Sequence, residues 1–361
     1  MAARVAPAAS AGRIGLGSAP EVGAAGTLPC GGPVTPSTLF DLASVSKPVL
    51  ACTLARLVER GVVALETPLA SVLPEVTGTS SAELPLELLL SHRAGLDGHR
   101  PLFAPVLVSR RPFERRAALR QAASARRPEC AGPAPKDGFP PLYSDLGYVL
   151  LGACIEALTA QALDHVIWQE VSAPLSLELG SARQLMARRP SFAREVAPTE
   201  VVRARGGCVR GAVHDENAWA LAGHGCAGHA GVFGSVRDVL GFGQALLSAY
   251  AGRSSWLSQR TLSRLVEPRP GGSLRAGFDG KSSQASSAGA SAGPLTFGHL
   301  GFTGTSLWCD PTAEIATVLL TNRVHPTREG PSASAIRAAR PVLHELLFQA
   351  PSPVLPGAPD P

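Results

Sequence analysis

Residues 40–61 read FDLASVSKPVLACTLARLVERG, and the apolar side chains of this stretch recur with the spacing of a helix. Leu50, Leu54 and Leu57 fall on one helical face, which predicts a helix over residues 46–61. The proline near its start is tolerated only in a first helical turn, and the closing glycine suits a helix end. The stretch therefore predicts a core helix with a polar entrance.

Two polar residues, Ser44 and Lys47, stand at this entrance. Residues three apart share a helical face, so Lys47 can project beside the Ser44 hydroxyl. The positive end of the helix dipole favours a serine alkoxide, and we expect it to lower the pKa of the lysine, whose neutral amine then takes the serine proton. This stretch alone leaves the alternative open, in which Ser44 is a helix cap, Lys47 is solvated and Ser46 is a rival cap.

Strand-like sequence lies near the two chain ends, and helical sequence fills the middle. Short β-like runs cover residues 13–16 and 21–28, and residues 306–323 (SLWCDPTAEIATVLLTNR) predict a β-hairpin. Residues 65–265 are mostly helical. We therefore expect an α/β fold of the α+β type. In it, an antiparallel sheet formed from both chain termini is flanked by helices, with an inserted all-helical lobe.

The length of 361 residues fits one large domain with two lobes. The predicted boundaries are the whole domain at 1–348, an α/β lobe at 1–64 and 266–348, a helical lobe at 65–265 and a disordered tail at 349–361. We expect the last helix of the domain to be interrupted at Pro341, because proline removes one helical hydrogen bond and clashes with the preceding turn.

Composition excludes several classes of protein. Hydrophobic residues make up 45% of the chain and charged residues 17%, which excludes a disordered chain. The net charge is +5, but the arginine-rich residues 110–127 contain no nucleic-acid-binding motif and favour a solvated helix face.

Seven scattered cysteines indicate a reducing compartment. No apolar run approaches roughly 20 residues, so we expect no membrane span. We also expect a cytoplasmic protein with no signal peptide, no cofactor and no nucleic-acid partner.

Two segments far from Ser44 carry polar groups that could serve the same chemistry. In PLYSDLGYVLLG, Tyr143 and Asp145 precede a strongly apolar helix, so a phenol and a carboxylate can face one cleft. The phenol can relay a proton if nearby cations lower its pKa. In FGHLGFTGTSLW, Gly301 permits close approach of the backbone to a ligand, so the Phe302 amide can donate to an oxyanion together with the Ser44 amide.

In this order and with this wide spacing, the three segments resemble the motifs of the serine β-lactamase and penicillin-binding-protein superfamily. The branch that they resemble contains class C β-lactamases, DD-peptidases and esterases. The family motifs are S-x-x-K, Y-x-N and K-T-G or H-x-G, and here they read Ser44–Lys47, Tyr143–Asp145 and His299–Gly301. Segments such as LFDLASVSK, LLLSHRAGL and GHAGVF extend the resemblance over residues 36–348.

The resemblance implies a serine hydrolase that acts through an acyl-enzyme on a small-molecule or peptide substrate: an ester, an amide or a D-amino-acid peptide. Ser44 would attack a carbonyl carbon while Lys47 and Tyr143 move its proton. The amides of Ser44 and Phe302 would hold the oxyanion. The substrate-binding positions that it implies are Asp145, His299 and Gly301.

Three positions depart from the family pattern. Asp145 replaces an asparagine, and Leu300 replaces a threonine whose hydroxyl would bind a substrate carboxylate. His299 replaces a lysine near the carboxylate or leaving group, so any carboxylate contact becomes pH-dependent. Together these changes favour an esterase or peptidase over an efficient β-lactamase.

The segment VHDENAWALAGHGCAGHAG concentrates histidines and acidic residues, including His214 and Glu216. These are zinc-type ligands, but their spacing matches no closed site, and we expect no metal. A structural loop that lines the cleft is the favoured interpretation. A substrate contact, or help with deacylation from His214 or Glu216, stays open.

A non-catalytic ligand-binding protein of the same fold is the alternative to an enzyme, because a fold does not fix a function. The three motif positions all hold residues that are chemically competent for acyl transfer. The sequence therefore favours the enzyme.

Overall fold

The computed structural model describes residues 5–29 and 32–350. The strands are β1 Ala8–Gly15, β2 Glu21–Gly26, β3 Phe40–Asp41, β4 Val201–Val202, β5 Gly207–Cys208, β6 Phe233–Gly234, β7 Asp279–Gly280, β8 Phe297–Leu300, β9 Ser306–Asp310 and β10 Ile315–Thr321. The helices are α1 Ser46–Glu59, α2 Leu69–Val72, α3 Leu86–Leu90, α4 Ala104–Leu107, α5 Arg115–Ala123, α6 Asp145–Thr159, α7 Leu163–Ile167, α8 Ala182–Arg188, α9 Phe192–Glu195, α10 Glu216–Ala222, α11 Val236–Tyr250, α12 Gln259–Val266 and α13 Ser332–Gln349. Most of the predicted tail, residues 351–361, lies outside the described residues.

Six strands form one antiparallel sheet in the order β2–β1–β10–β9–β8–β7. Ala9 of β1 lies opposite Thr321 of β10, so strands from the two ends of the chain share a ladder. The hairpin predicted at residues 306–323 is present as β9 and β10. The predicted antiparallel sheet, built from both termini and flanked by helices, is confirmed.

Helix α11 covers part of this sheet and fixes its distance from the helical layer. A Cβ on Gly243 would approach the Ala316 Cβ to 2.8 Å and the Leu307 Cδ1 to 3.2 Å, so the helix lies unusually close to the strands. Val239 is fully buried, and each such side chain contributes roughly 1.5–3 kcal/mol of hydrophobic stabilisation. Helix α11 lies within residues 65–265, the range predicted as the helical lobe, but it packs on strands β10 and β1 of the sheet.

Helix α13 runs from Ser332 to Gln349 without a break, so the predicted interruption at Pro341 is wrong. An internal proline costs about 3 kcal/mol or more. Two buried side chains hold the helix on the sheet: Arg340 donates to carbonyl oxygens of the β8–β9 turn, and His344 bonds to hydroxyls on β9 and β10. The stabilisation from these tertiary contacts outweighs the free-energy cost of a proline inside the helix.

The middle of the chain is mostly helical, as predicted, and adds only short strand pairs, β4 with β5 and β3 with β6. Over residues 5–29 and 32–350, no single helix is long and apolar enough to cross a membrane. Helix α6 and the segment Leu163–Ser172 pass that test only as a pair, with a bend of 81° between them.

Candidate active site

Ser44 lies in a tight turn between β3 and α1. Its neighbour Ala43 has a φ of 48°, in the left-handed region that an alanine rarely adopts. The Asp41 carboxylate accepts a hydrogen bond of 2.8 Å from the Ala43 amide and holds this turn from within. Strained backbone of this kind persists only where the surroundings over-determine it, and it clusters at functional sites. The turn therefore presents Ser44 in a fixed position at the start of α1.

The side chains of Ser44, Lys47 and Tyr143 meet, as the sequence predicted. The Lys47 Nζ lies 3.1 Å from the Ser44 Oγ and 2.7 Å from the Tyr143 hydroxyl. Neither serine caps the helix, because the N-cap position is Val45 and no side-chain cap bond forms. The Ser46 Oγ instead accepts a bond of 3.1 Å from the Val232 amide. The capping alternative is therefore wrong for both serines.

Tyr143 is positioned by a histidine from another segment. The His92 ring stacks on the Tyr143 ring with 4.8 Å between centroids, and its Nδ1 accepts a bond of 3.0 Å from the Ser144 amide. The Ser144 hydroxyl donates to the Asp97 carbonyl oxygen at 2.6 Å. Burial lowers the pKa of His92 well below its ordinary value, with a further contribution from the Lys47 charge. A neutral His92 thus locks the loop that carries the phenol.

The charge state of Lys47 differs from the expectation. Burial lowers the pKa of Lys47, but the Asp145 carboxylate at 2.7 Å outweighs burial, so that the pKa is raised above its ordinary value. The prediction that the helix entrance lowers this pKa is wrong, because the negative charge of the nearby Asp145 carboxylate stabilises the ammonium. At rest the site holds an ammonium–carboxylate pair.

Burial also raises the pKa of Tyr143, although the Lys47 charge acts in the opposite direction. The phenol is therefore neutral at rest, contrary to the idea that nearby cations lower its pKa. Tyr143 can still relay a proton, because its hydroxyl contacts the Lys47 amine, which also contacts the Ser44 Oγ.

The third motif lies on β8 and the turn that follows it. A Cβ on Gly301 would meet the Thr305 Oγ1 at 1.9 Å and the Leu42 carbonyl oxygen at 2.5 Å, so only glycine fits there. The His299 ring lies 5.8 Å from the Tyr143 ring, centroid to centroid. Burial, with the Lys47 charge, lowers the pKa of His299 to about 3. The histidine is therefore neutral near pH 7 and does not supply a pH-dependent charge there.

Two backbone amides, those of Ser44 and Phe302, have no hydrogen-bond acceptor among the described residues. Both residues line the same cleft. A pair of unpaired amides beside a nucleophile is the feature that an oxyanion hole requires. The amides are thus free to take an external acceptor.

A cleft of about 940 Å³ contains these groups, and we call it the Ser44 cleft. Its lining includes Ser44, Tyr143, Asp145, His299, Phe302, His214, Glu216, Leu274, Leu300, Ile336 and the arginines 323, 328, 337 and 340. These arginines were not predicted from the sequence, because they lie outside the three motif segments. Four acidic residues share this lining, so the formal charges of the arginines are balanced: Asp145, Asp215, Glu216 and Asp279.

His214 and Glu216 lie in this cleft but are held in a charged network. The His214 Nε2 lies 3.0 Å from the Glu200 carboxylate, and Arg328 bridges Glu200 and Glu216. The His214 ring also stacks near Phe302, with 5.8 Å between centroids. These contacts fit the structural loop favoured from the sequence.

A further pair in the cleft, His229 and Asp215, escaped the sequence analysis. The His229 Nε2 lies 2.7 Å from the Asp215 Oδ1, and the His229 carbonyl oxygen accepts from the Lys47 amine at 3.4 Å. The His229 Nδ1 is buried and has no hydrogen-bond partner among the residues that the structure describes. The cluster of histidines in the sequence was the signal, but nothing in it identified which histidine pairs with which acid.

A family model described as Beta-lactamase matches residues 21–340. The chain belongs to the beta-lactamase family. This family member resembles a Salmonella gallinarum protein named "Putative D-alanyl-D-alanine carboxypeptidase", with 31% identity over 208 residues. The match covers 54% of this chain and 48% of the relative, so the chain spans about half the length of the curated relatives it matches.

Solved structures with the same fold include a class C beta lactamase from Rhodobacter sphaeroides, with a TM-score of 0.66, 18% identity and 95% of both chains covered. Another is EstCE1, described as a hydrolase with promiscuous acyltransferase activity, with a TM-score of 0.68 and 21% identity over 95% of this chain and 94% of that one. At these identities the likeness shows the fold.

Proposed function

We propose that this beta-lactamase family member hydrolyses an ester, an amide or a D-amino-acid peptide through an acyl-enzyme on Ser44, with weak or no β-lactamase activity. The observation that carries the proposal is the contact of one buried amine, Lys47 Nζ, with the Ser44 Oγ at 3.1 Å and the Tyr143 hydroxyl at 2.7 Å. A nucleophile within reach of a base, with a third group that orients the base, is the signature of nucleophilic catalysis.

In the proposed mechanism, the Ser44 Oγ attacks the substrate carbonyl carbon as Lys47, in its neutral amine form, takes the Ser44 proton. The carbonyl electron pair moves to oxygen, where the Ser44 and Phe302 amides stabilise it. Tyr143 passes a proton to the leaving group and regains one from Lys47. Water then repeats the sequence on the acyl carbon and frees Ser44.

An exposed arginine in the cleft wall supports an anionic substrate group, although Asp145 and Leu300 weaken the case for a bound carboxylate. Arg340 is buried and donates hydrogen bonds to backbone carbonyl oxygens. Arg323 donates to the Phe302 carbonyl oxygen at 2.8 Å. Arg337 is exposed at the same wall and is available to a substrate carboxylate. The carboxypeptidase name of the Salmonella relatives favours a peptide with a free carboxylate. A cytoplasmic location, which stays a prediction, favours small peptides or esters over mature cell wall.

A substrate panel tests this proposal: p-nitrophenyl esters, D-Ala-D-Ala peptides and the cephalosporin nitrocefin, each with wild type and Ser44→Ala. We expect turnover of an ester or a D-Ala-D-Ala peptide by wild type, turnover of nitrocefin slower by at least about 100-fold, and no turnover by Ser44→Ala. Equal rates for wild type and Ser44→Ala would remove the proposed nucleophile.

The alternative is a catalytically silent homologue that only binds its ligand. The Lys47–Asp145 ion pair favours this alternative more than any other feature, because a protonated lysine cannot accept a proton from Ser44. Binding of a D-Ala-D-Ala peptide without turnover, together with no acylation by any reactive probe, would support it.

A further inference from the structure

The Asp145 carboxylate occupies an unexpected position. It lies 2.7 Å from the Lys47 Nζ, at the first turn of α6, and 20% of its side chain is exposed, whereas the Lys47 side chain is fully buried. The family motif has an asparagine there, which can neither carry a charge nor hold an extra proton. Asp145 therefore gives this chain a titratable group that the motif pattern lacks.

An ammonium group on Lys47 poses a chemical problem for acylation, because the amine must lose a proton before it can take one from Ser44. Five groups from three segments face this amine: Ser44, Tyr143, the Tyr148 ring at 5.4 Å, the His229 carbonyl oxygen, and Asp145.

Four of these five neighbours cannot take the proton. Ser44 is the group to be deprotonated, and burial keeps the two phenols in their neutral, protonated forms. A backbone carbonyl oxygen is not a base. Two histidines near Lys47 are also engaged elsewhere: the His92 Nδ1 with the Ser144 amide, and the His299 Nδ1 with the Leu300 carbonyl. The Asp145 carboxylate is the one anionic oxygen in contact with Lys47 in the part of the chain that the structure describes.

We propose that Asp145 is a catalytic acid–base residue that accepts the Lys47 proton at the start of each half-reaction. This inference rests on the proposed function. The proton moves from Nζ to the carboxylate, leaving a neutral amine beside a carboxylic acid. The amine then takes the Ser44 proton as the Oγ–carbon bond forms and the carbonyl electron pair moves to oxygen.

The remaining steps return every proton. The Lys47 ammonium gives its proton to Tyr143 as the phenol protonates the leaving group and the carbon–leaving-group bond breaks. The amine then recovers the proton held by Asp145, which restores the ion pair in the acyl-enzyme. With water in place of Ser44 as the proton donor, the same cycle completes deacylation. Substrate that covers the cleft helps the first transfer, because exclusion of water disfavours two separated charges.

An alkyl fluorophosphonate tests this assignment, because it phosphonylates an activated serine and offers Asp145 no amide or carboxylate to bind. The measurement is the second-order rate of Ser44 labelling across pH 4 to 10 for wild type, Asp145→Asn and Asp97→Asn. Asp97 is the control, since its carboxylate pairs with Arg100 on the neighbouring loop. Thermal melts check that each variant is folded.

For wild type we expect a labelling rate that stays flat through neutrality, because the proton moves within the Lys47–Asp145 pair and none is released to water. In Asp145→Asn the carboxylate acceptor is gone, so the amine must lose its proton to water before it can act. Because Asp145 no longer opposes the effect of burial, this loss comes at a lower pH than in wild type, and labelling should rise tenfold per pH unit up to that point. Asp97→Asn should follow wild type. Asp145→Glu, which keeps a carboxylate, should keep the flat profile through neutrality and serves if Asp145→Asn does not fold.

The outcomes separate the two proposals. If wild type labels at Ser44 but Asp145→Asn shows a pH profile parallel to wild type, Asp145 is only structural or substrate-binding, and this inference is wrong. A shift of the Asp145→Glu profile to the alkaline range would overturn it as well. If wild type does not label at any pH, the proposed function itself fails.

Discussion

The Thr305 hydroxyl donates a 2.8 Å hydrogen bond to the carbonyl oxygen of Leu42, across a separation of 263 residues. This bond ties the turn after β8 to the segment that presents Ser44. Thr303 makes the equivalent bond to the Asp41 carbonyl, also at 2.8 Å. The nucleophile and the proposed oxyanion amide of Phe302 are therefore held as one unit, although they come from opposite ends of the chain.

The first prediction concerns the space at Gly301 in that unit. In Gly301→Ala the added Cβ would overlap the Thr305 Oγ1 and the Leu42 carbonyl oxygen. We expect the free energy of unfolding to fall by about 1–3 kcal/mol and Ser44 labelling to slow by at least about 100-fold. Gly23→Ala is the matched control, since a Cβ there meets no atom within 4 Å. Equal labelling rates for the two variants would show that the turn does not position the oxyanion amide.

The second prediction separates the two serines at the helix entrance. The buried Ser46 Oγ accepts a hydrogen bond from the Val232 amide, and in Ser46→Ala that amide loses its acceptor. We expect a loss of about 1–3 kcal/mol in denaturant unfolding, with Ser44 still labelled by a fluorophosphonate. A Ser46→Ala protein that folds but resists labelling would make Ser46 the nucleophile.

The third prediction concerns the phenol of Tyr143. Tyr143→Phe keeps the ring that stacks on His92 but removes the hydroxyl that contacts Lys47. We expect kcat for an ester substrate to fall by about 10²–10⁴ with the melting temperature nearly unchanged. Substrates with good leaving groups, such as p-nitrophenol, should be affected least, because they need no proton. A uniform loss for all leaving groups would argue against proton relay by the phenol.

The fourth prediction concerns stability against pH at His344. This buried ring lies 2.8 Å from the Ser306 and Thr317 hydroxyls, and burial lowers its pKa to about 3. The unfolded chain takes up a proton near pH 6.5, whereas the folded chain does so only near pH 3. Stability is therefore unaffected by this group above pH 6.5 and falls as the pH drops from 6.5 toward 3, by about 1.4 kcal/mol per unit.

Denaturant unfolding between pH 6 and pH 4 checks this slope. In His344→Gln we expect a smaller dependence of the unfolding free energy on pH, by about 1.4 kcal/mol per unit, even though the variant is less stable at pH 7. Parallel pH dependences for wild type and His344→Gln would mean that the folded ring titrates normally.

The parts of the site that follow from local pattern were predictable from the sequence. Spacing placed Lys47 one helical turn from Ser44, and two β-rich runs around a turn located the β9–β10 hairpin. The charge state of Lys47 was not predictable, because it depends on a carboxylate 98 residues away. The unbroken α13 escaped prediction for the same reason: the contacts that hold it past Pro341 are tertiary.

The central claim is that Ser44 is a nucleophile activated within its cleft. The most direct measurement is mass spectrometry of the intact folded protein, and of its peptides, after reaction with an alkyl fluorophosphonate. We expect one adduct per chain, on the peptide containing Ser44, and none in Ser44→Ala. An unmodified wild-type protein, or an adduct that persists in Ser44→Ala, would contradict it.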